Sequence, residues 1–201
     1  MSAPAPPPSE TPPGDRDTTA VDTRRRWPVA AALVALLYPL DQVTKSLAVA
    51  HLVPGRQQPL VGELLQLRLI RNPGAAFSFA ENLTWLFTLI AVVAAVVVVV
   101  LLTRVRSRGW AVALGLLLAG VLGNLTDRLL RAPGVGRGHV VDFLELPHWP
   151  IFNVADMCVV SAAVLIGVLG VRGHRLDGTR EGAEEPDGQA GEQTRRGGSD
   201  A

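Results

Sequence analysis

The sequence predicts an all-α polytopic membrane protein, with four transmembrane helices and a small extracytoplasmic β-element. Three observations carry this. Hydrophobic residues make up 48% of the 201, yet both ends are polar, so the apolar content is concentrated in the middle. Four apolar runs lie there, each near the ~20 residues a helix needs to cross ~30 Å of hydrocarbon. Basic clusters at 24–26, 104–108 and 172–175 abut the runs on what four crossings make one common side. The formal net charge of +1 supplies no field that would attract nucleic acid. One cysteine, Cys158, rules out an intrachain disulfide framework and a Cys-rich metal site.

Residues 1–23 are rich in Pro, Ala, Ser and Thr and lack the apolar residues for a core, so a disordered tail is expected. Arg24, Arg25 and Arg26 precede the first apolar run, which starts at Trp27. Ala48-Val49-Ala50 resembles a signal-peptide cleavage site, but Asp41 and Lys45 would lie between the apolar core and the cut. A retained helix over about 28–49 is the better reading. Asp41 and Lys45 are spaced i,i+4 and share a helix face. They predict an ion pair near the outer helix end, with Lys45 snorkelling to the interface.

Residues 51–81 do not span. Leu65, Leu67 and Leu69 alternate with Gln66 and Arg68, a strand period, and Asn72-Pro73-Gly74 is a turn signal. Phe77 and Phe79 alternate again, which places a β-element at about 56–80 on the membrane surface. Asn72, taken alone, reads as the cap of its turn. Further spans follow at about 83–102, 110–130 and 152–171, the third opened by Trp110 at an interface-like position. Residues 173–201 are rich in Gly, Glu and Arg and predict a second disordered tail.

Four crossings put both termini on the side of the basic clusters, which the positive-inside rule makes cytoplasmic. The loops 51–82 and 131–151 then face outward. Asn124, Asp127 and Arg128 fall on one face at the outer end of the third span, and Asn153 and Asp156 on one face at the outer start of the fourth. Gly134, Gly136 and Gly138 break the helix between them. His139–Phe143 reads as a short extended piece, and Pro147 and Pro150 return the chain to the membrane.

Asp127, Asp142 and Asp156 thus reach one membrane depth, with Arg128 and His139 at hand to balance them. Asp127 has a neighbouring Arg to pair with, which leaves Asp142 and Asp156 without a local partner. Two carboxylates held close in a low-dielectric site cannot both ionise and share a proton. Such a pair can activate water with one member and protonate a scissile amide with the other. Other readings stay open at this point. Polar residues between spans also act as interhelical glue, the spacing-based reading of Asn124 and Asn153. Intramembrane carboxylates also build proton or ion pathways, so a small proton-coupled transport or channel component is an alternative. Cys158 reads as packing inside a span. Ser78 has no base nearby in sequence, and His139 and His148 lack metal-ligand spacing.

Five segments resemble bacterial lipoprotein signal peptidase, also called signal peptidase II. They are Asp41-Gln42-Val43-Thr44-Lys45, Asn72-Pro73-Gly74-Ala75-Ala76-Phe77-Ser78, Gly123-Asn124-Leu125-Thr126-Asp127-Arg128, Val140-Val141-Asp142-Phe143 and Phe152-Asn153-Val154-Ala155-Asp156. They stand in the family's order over about residues 27–172, with Ser78 where Gly is common. The resemblance implies a membrane peptidase domain at 24–172. It implies an aspartic endopeptidase that cuts diacylglyceryl-modified prolipoproteins before the lipidated Cys. Asp142 and Asp156 map to the family's catalytic pair. Asn72, Asn124, Arg128 and Asn153 map to its supporting polar residues, with Asp127 beside them, and Asp41 and Lys45 to its first motif. The β-element and the loop after the third span line the family's substrate groove, which globomycin-type depsipeptides block. No metal or organic cofactor is implied. Prolipoproteins and membrane lipid are the expected partners, nucleic acid is not, and a monomer is expected.

Overall fold

The computed structural model describes residues 25–74 and 84–180. In chain order it holds α1 (Trp27–His51), β1 (Gln58–Val61), β2 (Leu65–Asn72), α2 (Thr84–Leu102), α3 (Arg108–Leu130), β3 (Val140–Glu145) and α4 (Val154–Val171). All four helices are long and apolar enough to cross a membrane. Each end lies within two residues of the predicted span. The start of α4 at Val154 rather than 152 has a local cause. Asn153 caps the helix, and Phe152 is taken up in backbone pairing with Leu144. The helices turn large apolar side chains outward, such as Leu36, Val96 and Val164 at 66%, 58% and 62% exposure. In water such a surface would be an association hazard; in a bilayer it is the solvated face.

α3 is the hub. It packs on α1, α2 and α4, and small residues on it allow close approach. Gly123 shows why: a Cβ there would lie 2.6 Å from Asp41 Oδ2 and 2.9 Å from Ala155 Cβ. Only hydrogen at this position lets α1 and α4 close on α3 beside the carboxylates.

The β-element is a three-stranded antiparallel sheet in the order β1-β2-β3. The alternation of Leu65, Leu67 and Leu69 gives β2, and the extended piece after His139 joins the same sheet as β3. Ile70 pairs with Asp142 and Asn72 with Val140, with a register shift between Leu67 and Ile70. Leu69, Val141 and Phe143 pack on Ala48 of α1, which seats the sheet on the end of that helix. Successive strand residues face opposite ways, so burying Val141 and Phe143 here turns Asp142 to the other face. The Phe77–Phe79 alternation and Ser78 lie outside the described residues, as do the N-terminal tail through Arg24 and the chain beyond Arg180.

The described part of the stretch expected as a tail, residues 173–180, is structured. It folds back on the far end of the bundle. Leu176 packs against the cluster of Val98, Val105, Ala111 and Leu114, and its carbonyl accepts from Arg106 N and Ser107 N. Trp110 Nε1 donates to His174 O at 2.8 Å. One leucine and two backbone acceptors offset the polarity of this stretch.

Candidate active site

The polar residues of α1, α3, β2, β3 and α4 meet at one end of the bundle, where the helices run into the sheet. Lys45 is the centre of the lower layer. It is fully buried, and its Nζ lies 2.9 Å from Asp41 Oδ2, 2.9 Å from Asp127 Oδ2 and 2.9 Å from Asn124 Oδ1. The expected Asp41–Lys45 pair therefore forms, but the snorkelling does not. A second carboxylate on α3 offers the ammonium a closer partner than the interface, and a cation serving two buried carboxylates stays inside.

Asp41 also ties α1 to α4. Its Oδ1 accepts from Ala155 N at 2.8 Å, an otherwise unpaired donor in the first turn of α4. Gln42 Nε2 donates to Asp41 Oδ2 and to Gly123 O, both at 3.0 Å. Asp127 is held by Lys45, by Arg131 Nε, and by Val141 N at 3.2 Å. The Arg that pairs with Asp127 is thus Arg131, one turn on, rather than the adjacent Arg128. Arg128 instead reaches the turn after β2. Its Nη1 donates to Pro73 O at 3.4 Å, and its guanidinium lies 5.5 Å from the Phe87 ring centre on α2.

The upper layer holds the other two carboxylates, joined through Asn153. Asn153 Nδ2 donates to Asp142 Oδ1 at 2.6 Å and to Asn124 Oδ1 at 3.2 Å. Its backbone N donates to Asp156 Oδ2 at 3.2 Å, and its Oδ1 accepts from Asp156 N at 2.9 Å. This is a capping box in which an acid stands at the third helical position. Asn124 Nδ2 donates to Asp156 Oδ1 at 2.8 Å. Asn72 Nδ2 donates to Asp142 Oδ2 at 2.9 Å while its Oδ1 accepts from Gly74 N at 2.8 Å. Asn72 is therefore both the turn cap that its sequence position suggests and a ligand of Asp142.

Every oxygen of Asp142 and Asp156 accepts from an amide, and among the described residues neither forms an ion pair. Asp142 is 1% exposed. Burial, aided by the neighbouring Asp156 charge, pushes its carboxyl up to about 6 against the downward pull of the Asn72 and Asn153 amides. Asp156 is half-buried and lines an apolar cavity of about 230 Å³ with Trp149, Phe152 and Met157. One carboxyl is thus enclosed and its neighbour opens on a cavity. Such a pair can divide the roles of proton holder and water activator.

All nine sequence-predicted residues converge on this end. The sequence reading missed Arg131 and Gln42. Arg131 was findable, since it stands i+4 from Asp127 on the same helix. His139, expected near the carboxylates, contributes its backbone N–H to Ala132 O.

Comparison with known proteins gives a consistent family. Residues 33–171 match the family model described as signal peptidase (SPase) II. The chain is 49% identical over 163 residues to a lipoprotein signal peptidase of Rhodococcus jostii (strain RHA1), covering 81% of this chain and 82% of that one. It is 47% identical over 163 residues to one of Mycobacterium avium (strain 104), covering 80% and 90%. Among solved structures, a bacterial membrane enzyme determined by the in meso method aligns with a TM-score of 0.65 at 26% identity. That alignment covers 75% of this chain and 97% of the other.

Proposed function

The chain belongs to the signal peptidase II family, and from that premise we propose that Asp142 and Asp156 are its catalytic pair. The protein is a multi-pass membrane aspartic peptidase that removes signal peptides from prolipoproteins. The observation that supports the pair is the contrast among four carboxylates at one end. Asp41 and Asp127 contact cations, whereas among the described residues Asp142 and Asp156 contact only amides and share Asn153.

One carboxylate of the pair, ionised, takes a proton from water as the water attacks the scissile carbonyl. The other, protonated, gives its proton to the departing amide nitrogen. Asn153 fixes the spacing of the two, since it bonds to both and is itself held as the first cap of α4. Asn124 and Asn72 orient one carboxylate each, Arg128 braces the turn that carries Asn72, and the Asp41–Lys45–Asp127 layer holds the helices beneath.

The substrate is a diacylglyceryl-modified prolipoprotein, cut before its lipidated Cys. A lipid-bearing Cys and an apolar signal helix both lie in the bilayer, so a site at the membrane surface meets the scissile bond at its own depth. Arg104, Arg106, Arg108 and Arg172 stand at the end opposite the carboxylates. By the positive-inside rule that end is cytoplasmic, with both termini, and the site faces the outer leaflet. All the site's groups come from one chain, which fits a monomer. The transport reading finds no support: the buried carboxylates gather at one end instead of lining a path across the bundle.

Purified protein with a diacylglyceryl-modified prolipoprotein, followed by gel shift, tests the pair. Wild type cleaves, a globomycin-type depsipeptide blocks it, and Asp142→Asn and Asp156→Asn each fail to cleave. Cleavage by both folded variants overturns the assignment.

A further inference from the structure

The end opposite the carboxylates carries a cleft that the proposed reaction does not use. α1 and α2 each pack on α3 and barely touch one another. Arg26 N donates to Val105 O at 3.1 Å, which ties the start of α1 to the turn after α2. Beside this tie the two helices leave a cavity of about 550 Å³. Trp27, Val34 and Ala35 form one wall, Val99 the other, Leu118 of α3 the floor, and Arg25 lies at the mouth. Residues 27 to 35 rise ~12 Å at ~1.5 Å per residue. That is most of one leaflet of a ~30 Å hydrocarbon core.

We propose that this cleft holds one anionic phospholipid of the bilayer, an acyl chain between α1 and α2 and its headgroup phosphate on Arg25. The shape fits a chain and not a helix. A helix is ~10–12 Å across and ~30 Å long when it spans, several times the volume available here. The charge fits as well. Arg25 is exposed at the mouth, and Arg104, Arg106 and Arg108 follow α2 at the same end. Juxtamembrane basic clusters of this kind attract anionic headgroups. The same charges disfavour the other natural occupant, the signal helix of a substrate, because its leading segment is itself basic. Trp27 is half-exposed beside Arg25, where an indole sits well at headgroup level. The inference rests on the membrane reading of the four helices and not on the Asp142–Asp156 assignment.

Native mass spectrometry of the full chain in detergent tests it, titrating phosphatidylglycerol against phosphatidylcholine with the same acyl chains. The expected result is one retained phosphatidylglycerol, held more tightly than phosphatidylcholine. Arg25→Gln lowers the phosphatidylglycerol affinity about fivefold, the ~1 kcal/mol of one surface arginine, and leaves phosphatidylcholine unchanged. Ala35→Trp fills the cleft and removes the retained lipid. Leu36→Trp, at a 66% exposed position that does not line the cleft, keeps it. Equal affinity for the two lipids, or a retained lipid in Ala35→Trp, overturns the proposal. A photo-crosslinker at position 35 that captures a prolipoprotein signal segment in cells instead of lipid does so too. Prolipoprotein cleavage is scored separately, so failure of the dyad assignment leaves the lipid result standing, and the reverse.

Discussion

Replacing Lys45 by methionine should be among the most destabilising single changes this protein can suffer outside its packing core. The side chain is fully buried and makes three contacts at 2.9 Å, two of them to buried carboxylates on different helices. Breaking a buried ion pair by removing one partner costs ~3–5 kcal/mol, because the partner's charge is left without compensation. Asp127 keeps Arg131 and Val141 N, so it is only partly abandoned. Asp41 keeps just the Ala155 and Gln42 amides, so it carries most of the loss. The expected cost is therefore ~3 kcal/mol, the low end of that range. At ~2–4 °C per kcal/mol for a chain of this size, Tm falls by ~6–12 °C. The chain supplies its own reporter. Cys158 is its one cysteine and is 6% exposed, so a thiol-reactive fluorophore brightens only as the bundle opens. A double-mutant cycle isolates the pair: Asp41→Asn should cost at least ~2 kcal/mol less in the Lys45→Met background than in wild type. A Tm drop under ~2 °C for Lys45→Met, or full additivity of the two changes, refutes the claim that this buried cation compensates Asp41.

The other predictions concern the upper layer and its packing. Asp142→Asn and Asp156→Asn should each lower kcat by at least ~10³, within the range of lost acid–base catalysis, with Tm within ~5 °C of wild type. A stability–pH profile should show the Asp142 shift directly. Its folded value is about 6 against an ordinary 3.8, so the folded state binds the extra proton between those values and stability falls as pH rises through that window. The loss is ~3 kcal/mol by pH 7, and Asp142→Asn should abolish that slope. Asn72→Ala removes an amide that favours the ionised Asp142, so this limb should move to higher pH; a shift to lower pH sinks the reading. Gly123→Ala should cost ~1–3 kcal/mol of stability by overpacking against Asp41 and Ala155; a neutral Tm would show that α1 and α4 are not held this close.

Much of this architecture was legible because the bilayer constrains it so strongly. Hydropathy alone located the four helices, since a continuous run of ~20 apolar residues satisfies its own backbone in lipid only as a helix. Asn72-Pro73-Gly74 marked its turn because Gly74 stands at φ 104°, a conformation a Cβ resists. The partition of carboxylates was half legible. Spacing along one helix reveals Asp41–Lys45 and should have revealed Asp127–Arg131. It cannot reveal that Lys45 also meets Asp127, because that contact depends on how α1 and α3 are rotated. For the same reason Lys45 was expected at the interface: a lone helix gives it one carboxylate, and the folded bundle gives it two. Arg128, expected among the supporting residues, contacts the turn after β2 and not the adjacent Asp127, because neighbouring residues on a helix diverge by ~100°.

The two layers of the site explain each other. Four carboxylates brought to one end of an apolar bundle would repel one another and resist desolvation. Lys45 and Arg131 neutralise the two that lie between helices, and those become struts. Adding a cation beside Asp142 or Asp156 as well would steady the fold further, but it would hold both ionised and leave no proton to share. Amides solve this differently. Asn72, Asn124 and Asn153 hold the carboxylates in place with neutral donors, which orient them without fixing their charge. The choice between a cation and an amide as the contacting group is therefore what separates the structural acids from the proposed catalytic ones. On that argument, a cation placed at Asn153 (Asn153→Lys) would lose cleavage even where the bundle stays folded.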